Sequence, residues 1–410
     1  MKLEPREAIS FWNSKTCLLP DQFSKLTDDE KFLAFTVSGI PKIKSIKTVH
    51  KAILSAIKNG DTSQEFNKNM RAVVEPAGWT KEEENRRLDN IFRTNIQTAF
   101  NVGRYRQMMK VKEARPFWRY NAVNDSRTRP THRAVNGKIF RFDHPFWDKW
   151  YPPNGFRCRC NVRTLSQREI DRDGLTVETQ DPIGRLMNIT TPDGIVMSAI
   201  PLMPDPGFAF NPGKIFWGNR VDGAASPATW TEYPEIRGPN AFRRKKLDSL
   251  TPSDIPDISA SGLLPAGQPD WVYKEAFIAR YAQKKVVTDV TGERVTMSAS
   301  SLKDASGAVK FGVPGSGQLI SILPDMLKQP FEVWLVPQRS DAGQIRLIRR
   351  YISVWKTTDG SEVDGVAVHE SSGGIWKGVT AFFPSESIAM DPDTLDEIEK
   401  QRYGILLWGK

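Results

Sequence analysis

Cysteine is scarce in this 410-residue chain, which holds three: Cys17, Cys158 and Cys160. Three thiols cannot make a disulfide framework, and ring strain keeps the near-adjacent pair Cys158 and Cys160 from joining each other. Long apolar runs are missing too, none approaching the roughly 18 to 20 residues that span a bilayer. The opening "MKLEPREAIS" lacks the apolar centre of a signal peptide, so synthesis in the cytosol and no membrane partner are expected. The stretch "GVPGSGQ", residues 312 to 318, has no Lys-Ser/Thr and reads as a flexible turn rather than a P-loop. No paired carboxylates at suggestive spacing and no Ser-His-Asp order stand out, which removes the commonest hydrolase signatures.

Positive charge is present and concentrated. The net formal charge is +10, and residues 101–170 alone hold 16 Lys or Arg against 5 Asp or Glu. So focused a field faces an anion, most often phosphate, or else is a solvated basic face without a partner. At this length two or three domains are expected, and the patterning gives an α+β multidomain chain. Residues 1–79 form a helical N-terminal region, where Ile46, Val49, Ile53, Leu54 and Ile57 share a stripe that Gly60 ends. A longer helix starts at the capping box of Thr80 and Glu83, with Leu88, Ile91, Phe92, Asn95, Ile96, Ala99 and Phe100 on its apolar face. Met108 and Met109 are expected in the core.

From about 114 to 165 the chain turns to short extended pieces, with Asn136-Gly137 a hairpin signal between "HRAV" and "KIFRF". A small β-rich unit is expected there, the region from 80 to 220 forming one domain. Residues 171–268 are dense in Gly, Pro, Asp and Ser, and 221–268 reads as a linker. Regular patterning returns over 269–410: an amphipathic helix, strands on either side of Thr291-Gly292, a second helical stretch, four strand-like runs joined by turns, and a final helix, "PDTLDEIEKQRYG". This predicts an α+β domain with an antiparallel sheet.

"WYPPNGFRCRC", residues 150–160, carries Cys-x-Cys with an arginine before each thiol. His132 lies upstream, and a structural zinc takes four tetrahedral N or S ligands from two such segments. His132, Cys158 and Cys160 are the candidate ligands, with Asp125 or His144 a doubtful fourth. The alternative is that the thiols are small buried hydrophobes. Arg127, Arg129, Arg133, Arg157, Arg159 and Arg163 bracket this knuckle and suit phosphate without reading sequence, although Asp125 and Arg127 could instead pair to hold a turn.

The ordered series "TNIQTAFNVGRYRQMM", "WRYNAVNDSRTRPTHRAVNGKIF", "DHPFWDKW", "YPPNGFRCRC" and "GFAFNPG" resembles the phage Mu F-like head morphogenesis family, minor head proteins of tailed phages. The resemblance covers roughly residues 80–215. Many members carry Asp-x-Arg-Thr-Cys-x-x-Cys before the Cys-Arg-Cys; here Arg129 and His132 occupy those two cysteine positions, leaving three ligands. The resemblance implies a procapsid or virion component made in the host cytoplasm and placed inside the head near the portal, with portal and capsid proteins and nonspecific DNA as partners. Structural zinc is the one cofactor expected.

The region 269–410 is similar in layout to small nuclease domains of barnase, EndoU, colicin and RelE type found fused to such proteins, which implies an RNA substrate. Metal-independent RNA cleavage needs a cation at the phosphorane and a general acid and base. Arg350, His369 and Thr380 are the candidates. Arg346 and Lys356 share the strand face of Arg350, whereas Arg349 points the other way. Trp376 and Phe382 share the face of Thr380 and could equally stack a base or simply pack the sheet, and a lone strand-end histidine such as His369 is more often a surface residue.

Overall fold

The computed structural model describes residues 5–190, 194–218, 230–232, 264–265, 267–300, 316–356, 363–384 and 392–409. Two units divide the chain, residues 1–230 with 339–345 and residues 231–338 with 346–410. Among the described residues no helix is long and apolar enough to cross a membrane.

In the first unit, α1 (Arg6–Ser14) buries Ala8, Phe11 and Trp12. Strand β1 (Thr16–Cys17) pairs in parallel with β2 (Ala34–Phe35), and the short helices α2 (Pro20–Ser24) and α3 (Asp28–Lys31) lie between them in sequence. Helix α4 (Ile43–Asn59) buries Ile46, Val49, Ile53, Ala56 and Ile57, and Gly60 ends it in the left-handed conformation at φ +79°. After α5 (Ser63–Val74) comes α6 (Lys81–Lys110), the 30-residue spine against which α1, α4 and α5 pack. Its start is the expected capping box: Glu83 N donates to Thr80 Oγ1 at 3.2 Å and Thr80 N donates to Glu83 Oε2 at 3.0 Å. Met108 and Met109 are buried as expected, but Phe100 is 44% exposed. One position beyond Ala99, it has rotated off the packed stripe.

The β-rich part centres on β3 (Phe117–Asn121), which pairs antiparallel with β4 (Ile139–Arg141) on one side and β5 (Asn161–Leu165) on the other. "HRAV" does not form the expected strand. It falls largely within α7 (Pro130–Ala134), because Pro130 occupies the first helical turn, where its fixed φ favours a helix and its missing N–H costs nothing. Gly137 still makes the turn, at φ +83°, with its N–H on Tyr120 O. Helices α8 (Phe146–Trp150) and α9 (Gln167–Arg172) follow. Trp118, Tyr120, Trp147, Trp150 and Tyr151 are all buried in one core with Cys158 and Cys160.

A hairpin of β6 (Leu186–Thr190) and β7 (Val196–Pro201) lies where only turn-rich chain was expected. The surrounding Pro, Asp and Gly hide its two short alternations. "GFAFNPG" leads into α10 (Pro212–Trp217), capped by Asn211 Oδ1 accepting from Lys214 N at 3.0 Å. A Cβ on Gly213 would stand 2.2 Å from the Tyr105 ring, so only glycine lets α10 come this close to α6.

In the second unit, β8 (Trp230–Glu232) falls inside the expected linker 221–268, most of which lies outside the described residues. Helix α11 (Asp270–Tyr281) precedes the hairpin of β9 (Lys284–Thr288) and β10 (Arg294–Ser298), turned at Gly292 with φ +75°. Then come α12 (Leu323–Lys328), β11 (Glu332–Ser340), β12 (Ile345–Lys356), β13 (Val363–Ser372), β14 (Ile375–Pro384), α13 (Pro392–Glu399) and β15 (Ile405–Gly409). The sheet order is β15-β11-β12-β13-β14-β10-β9, with β8 also on β11; the β10–β14 pair is parallel. The final helix was expected to be the last element, yet β15 follows it. Arg402 explains this: wholly buried, it donates to both oxygens of buried Glu332 at 2.8 and 2.5 Å, fastening the approach to β15 onto β11. One face of the sheet packs on α11 and α12 through Val333, Tyr351, Ala367 and Trp376. The whole is α+β.

Candidate metal centre and the polar face of the second unit

The knuckle is assembled by two separate segments. Helix α7 supplies His132, and the turn before β5 supplies Cys158 and Cys160. The ring of His132 is steered by the edge of Trp150, with centroids 5.8 Å apart. Within 150–160, Asn154 is fully buried and accepts from Tyr120 Oη at 3.0 Å, anchoring the segment beneath β3. Arg157 takes φ +59°, which turns the chain so that both sulfurs face inward while Arg157 itself faces out.

His132 Nδ1 lies 3.5 Å from Cys160 Sγ and 3.8 Å from Cys158 Sγ, and all three side chains are buried. With Zn–N and Zn–S bonds of about 2.05 and 2.3 Å, a tetrahedral site has an N···S edge of about 3.6 Å. The observed spacing brackets that value. A cavity of about 20 Å³ lined by these three residues and by Thr128, Arg129 and Arg159 leaves room for one small ion. The other ring nitrogen, Nε2, is buried without a hydrogen bond and lies 3.9 Å from Asp205 Oδ1, the side on which a metal-bound imidazole wants a carboxylate. His132, Cys158 and Cys160 can therefore hold a metal ion, and among the described residues they are the one His/Cys/Asp/Glu group placed to do so.

The thiols are already polarised. Hydrogen bonds from Cys160 and then His132 hold Cys158 well below the ordinary thiol range against its burial, and Cys160 is raised by its hydrogen bond with Cys158 and then by burial. A thiolate is the form that binds metal.

Neither doubtful fourth ligand joins them. Asp125 is gripped by Arg159 at 2.6 and 2.7 Å, which chiefly holds its carboxyl far below the usual range, and its Oδ1 also accepts from Arg127 N. His144 Nδ1 accepts from Phe146 N at 3.1 Å.

The six bracketing arginines fall into two groups. Arg129 pairs with Asp205 at 2.7 Å, Arg159 with Asp125, and Arg133 donates to Asp125 O at 2.7 Å; these brace the knuckle. Gly155 is required beside them, since a Cβ there would lie 2.3 Å from Asp205 Oδ2. Arg127, Arg157 and Arg163 keep 75%, 49% and 66% of their side chains exposed, although Arg127 lies 3.5 Å from Asp125, Arg157 touches Asp89 and Arg163 lies 3.6 Å from Glu169. Asp205 was invisible in the sequence reading, since nothing about "MPDPG" marks it as the brace of a segment some 50 residues earlier.

In the second unit Arg350 and His369 do not meet. Arg350 pairs with Glu370 across β12 and β13, whereas His369 pairs with Tyr351, so Arg350 and His369 point to opposite faces. His369 lies within β13 rather than at its end. It is fully buried, with neither ring nitrogen hydrogen-bonded, and burial drops its pKa to about 3. Thr380 lies on β14, but its side chain, like those of Lys356 and Phe382, is outside the described residues. Trp376 is 1% exposed against the helices and is a core residue, not a stacking platform.

Arg350 instead belongs to a polar network. Its Nη2 donates to Glu232 Oε1 and Oε2 at 2.8 and 3.0 Å and to Glu370 Oε1 at 2.6 Å, with Nε also on Glu370. Tyr403 lies under the guanidinium, 4.8 Å away. Arg346 Nε donates to Gln338, whose amide donates to Glu232 at 2.5 Å. Sequence reading missed Glu370 and Glu232; the alternation of "VHE" could have flagged Glu370 once the β12–β13 register was known.

Residues 47–163 match the family described as Phage Mu protein F like protein. The chain carries a Mu F like domain. That match begins upstream of residue 80, within α4, and ends on β5 just after the knuckle, so the Mu F like domain includes all three candidate ligands. The protein named "Putative capsid assembly protein F" of Escherichia phage Mu is 31% identical over 249 residues, 53% of this chain and 56% of that protein. The Mu-like prophage FluMu F protein of Haemophilus influenzae is 40% identical over 159 residues, 36% of this chain and 38% of that protein. The chain thus spans about half the length of one of these curated relatives and under two fifths of the other. Beyond the Mu F like domain, residues 273–409 match the family described as phage-Barnase-EndoU-ColicinE5/D-RelE like nuclease2. No solved structure matches the chain.

Proposed function

We propose that this protein is a head-assembly protein of a Mu-like tailed phage, working in the procapsid or virion near the portal and touching capsid and portal proteins. The observation that carries this is the Mu F like domain over residues 47–163, together with a relative named for capsid assembly. Gold label on this chain should decorate purified heads at the portal vertex. Heads that form normally in its absence and never contain it would overturn the reading.

Structural zinc at His132, Cys158 and Cys160 belongs to the same proposal, supported by the N···S spacing. Its role is to clamp α7 to the segment before β5 and so hold the arginines in place; a solvent or partner atom completes the four ligands. One zinc per chain by elemental analysis, lost in Cys160→Ser, is the expected result. DNA contact is assigned to Arg127, Arg157 and Arg163, the exposed members. Each phosphate contact contributes about −0.9 to the slope of log affinity against log salt, so three give a slope near −3. An affinity indifferent to salt would remove DNA from the partners.

A second reading is favoured by the nuclease-family match over residues 273–409: the second unit is a metal-independent ribonuclease effector carried by the particle. Its test is cleavage of single-stranded RNA by the full chain in chelator, and an intact substrate at high enzyme concentration refutes it.

A further inference from the structure

A groove of about 520 Å³ lies within the first unit and shares no lining residue with the cavity at the knuckle. One wall is α6, which offers Arg87, Asn90, Ile91, Thr94, Asn95 and Thr98, a single stripe at helical spacing. From Arg87 to Thr98 that stripe runs about 16 Å, roughly three turns. The other walls are largely aromatic, with Phe23, Phe32, Phe35, Trp79, Phe156 and Phe208. Ile91 is only half-buried in the middle of the spine, and Phe156 is 57% exposed although Phe208 stands edge-on to it at 4.9 Å. An open apolar trough of this length suits side chains brought by another chain.

The groove is also positive. Lys15 lines it and donates to the carbonyls of Phe32 and Ala34; burial lowers its pKa to about 7, with no carboxylate among the groups that act on its charge. Arg87 lies over the Trp79 ring at 5.0 Å, and its buried Nε has no hydrogen-bond partner among the described residues, nor has buried Thr36 Oγ1. Such groups are costly until a polar atom completes them. An adjoining cavity of about 350 Å³ shares Arg87 and Asn90 and adds Arg86 and Arg157. Two carboxylates answer these cations: Asp28 pairs with Lys31 at 3.3 Å, and Asp89 is touched by Arg157. The surplus stays positive.

We infer that this groove receives an acidic amphipathic helix of a partner protein, its Leu or Phe side chains filling the trough and its Asp or Glu side chains meeting Arg86, Arg87 and Arg157. Charge complementarity selects this occupant. A basic helix would be repelled, and nucleic acid would leave the aromatic walls empty. The inference does not depend on the head-assembly or ribonuclease reading, because it concerns binding by the purified chain.

The experiment titrates the full chain into a fluorescein-labelled synthetic helix with Leu and Phe at i, i+3, i+4 and i+7 and Glu elsewhere, followed by anisotropy. Saturable binding is expected. A counterpart with Lys for Glu, and another with Ser for Leu and Phe, should each bind at least about tenfold more weakly. Phe156→Ser and Arg86→Glu should each cost about tenfold as well, and Arg172→Glu, outside the groove, should cost nothing. Arg86 is exposed on a helix, so Arg86→Glu tests the groove even where Phe156→Ser fails to fold. No binding, equal binding of the Lys counterpart, or wild-type affinity in folded Arg86→Glu would overturn the inference and leave the head-assembly reading standing. Displacement of the peptide by duplex DNA from wild type and Phe156→Ser alike would give the cations to phosphate and overturn it too.

Discussion

His369 shows how far a single side chain can differ from its sequence neighbourhood. A histidine beside a glutamate, near the end of a predicted strand, reads as a candidate acid or base. The structure places it against Tyr351 under the helices with both nitrogens unsatisfied. An unpaired buried polar group costs roughly 1 to 3 kcal/mol. His369→Leu is therefore expected to melt no lower than wild type, and a fall of several degrees in calorimetry would show a bonding role for the ring. At the knuckle the residue reading fared better: His132, Cys158 and Cys160 lie within one coordination sphere's reach of each other. Those candidate ligands were legible because each is a rare residue type in a motif. Asp205 and Glu370 were not, since an acidic residue acquires its meaning from what the fold brings beside it.

Among the elements, the boundaries that carry side-chain chemistry could be read in advance and those set by packing could not. Thr80 and Glu83 announce the start of α6 and bond as a capping box requires. Thr80→Ala should destabilise the first unit by about 1 kcal/mol, seen as a lower melting temperature; an unchanged value would mean that tertiary contacts alone hold this end. By contrast, α7 displaced an expected strand through one proline, and β15 could not be anticipated because its anchor, Arg402 on Glu332, joins residues far apart in sequence. The pleat of β12 was foreseen in the opposed directions of Arg349 and Arg350, and the missing information was the partner strand's register, which alone decides what each arginine meets.

For the molecule as a whole, two imidazoles withdrawn from water, His369 fully and His50 in part, make stability depend on pH. Burial lowers His369 to about 3 and His50 to about 4, below the ordinary 6.5. The folded chain then takes up fewer protons than the unfolded one between those values. Their contribution is complete above pH 6.5 and is lost as pH falls toward 4 and then 3, amounting to roughly 8 kcal/mol at most in all. Denaturant midpoints measured from pH 7 down to 4 should fall, and the fall should shrink in His369→Leu; a flat profile would contradict the burial of both rings. The α+β class and the start of α6 at Thr80 were readable from patterning, whereas α7 and the β6–β7 hairpin were not, the latter masked by its turn-rich flanks. The segment that ends the knuckle has one more consequence. Thiol and guanidinium alternate there, so adding or deleting one residue between Arg157 and Cys160 would send sulfur to water and positive charge among Trp150 and Tyr151. Its length is therefore constrained as tightly as its two thiols, and natural variants should rarely gain or lose a residue in it.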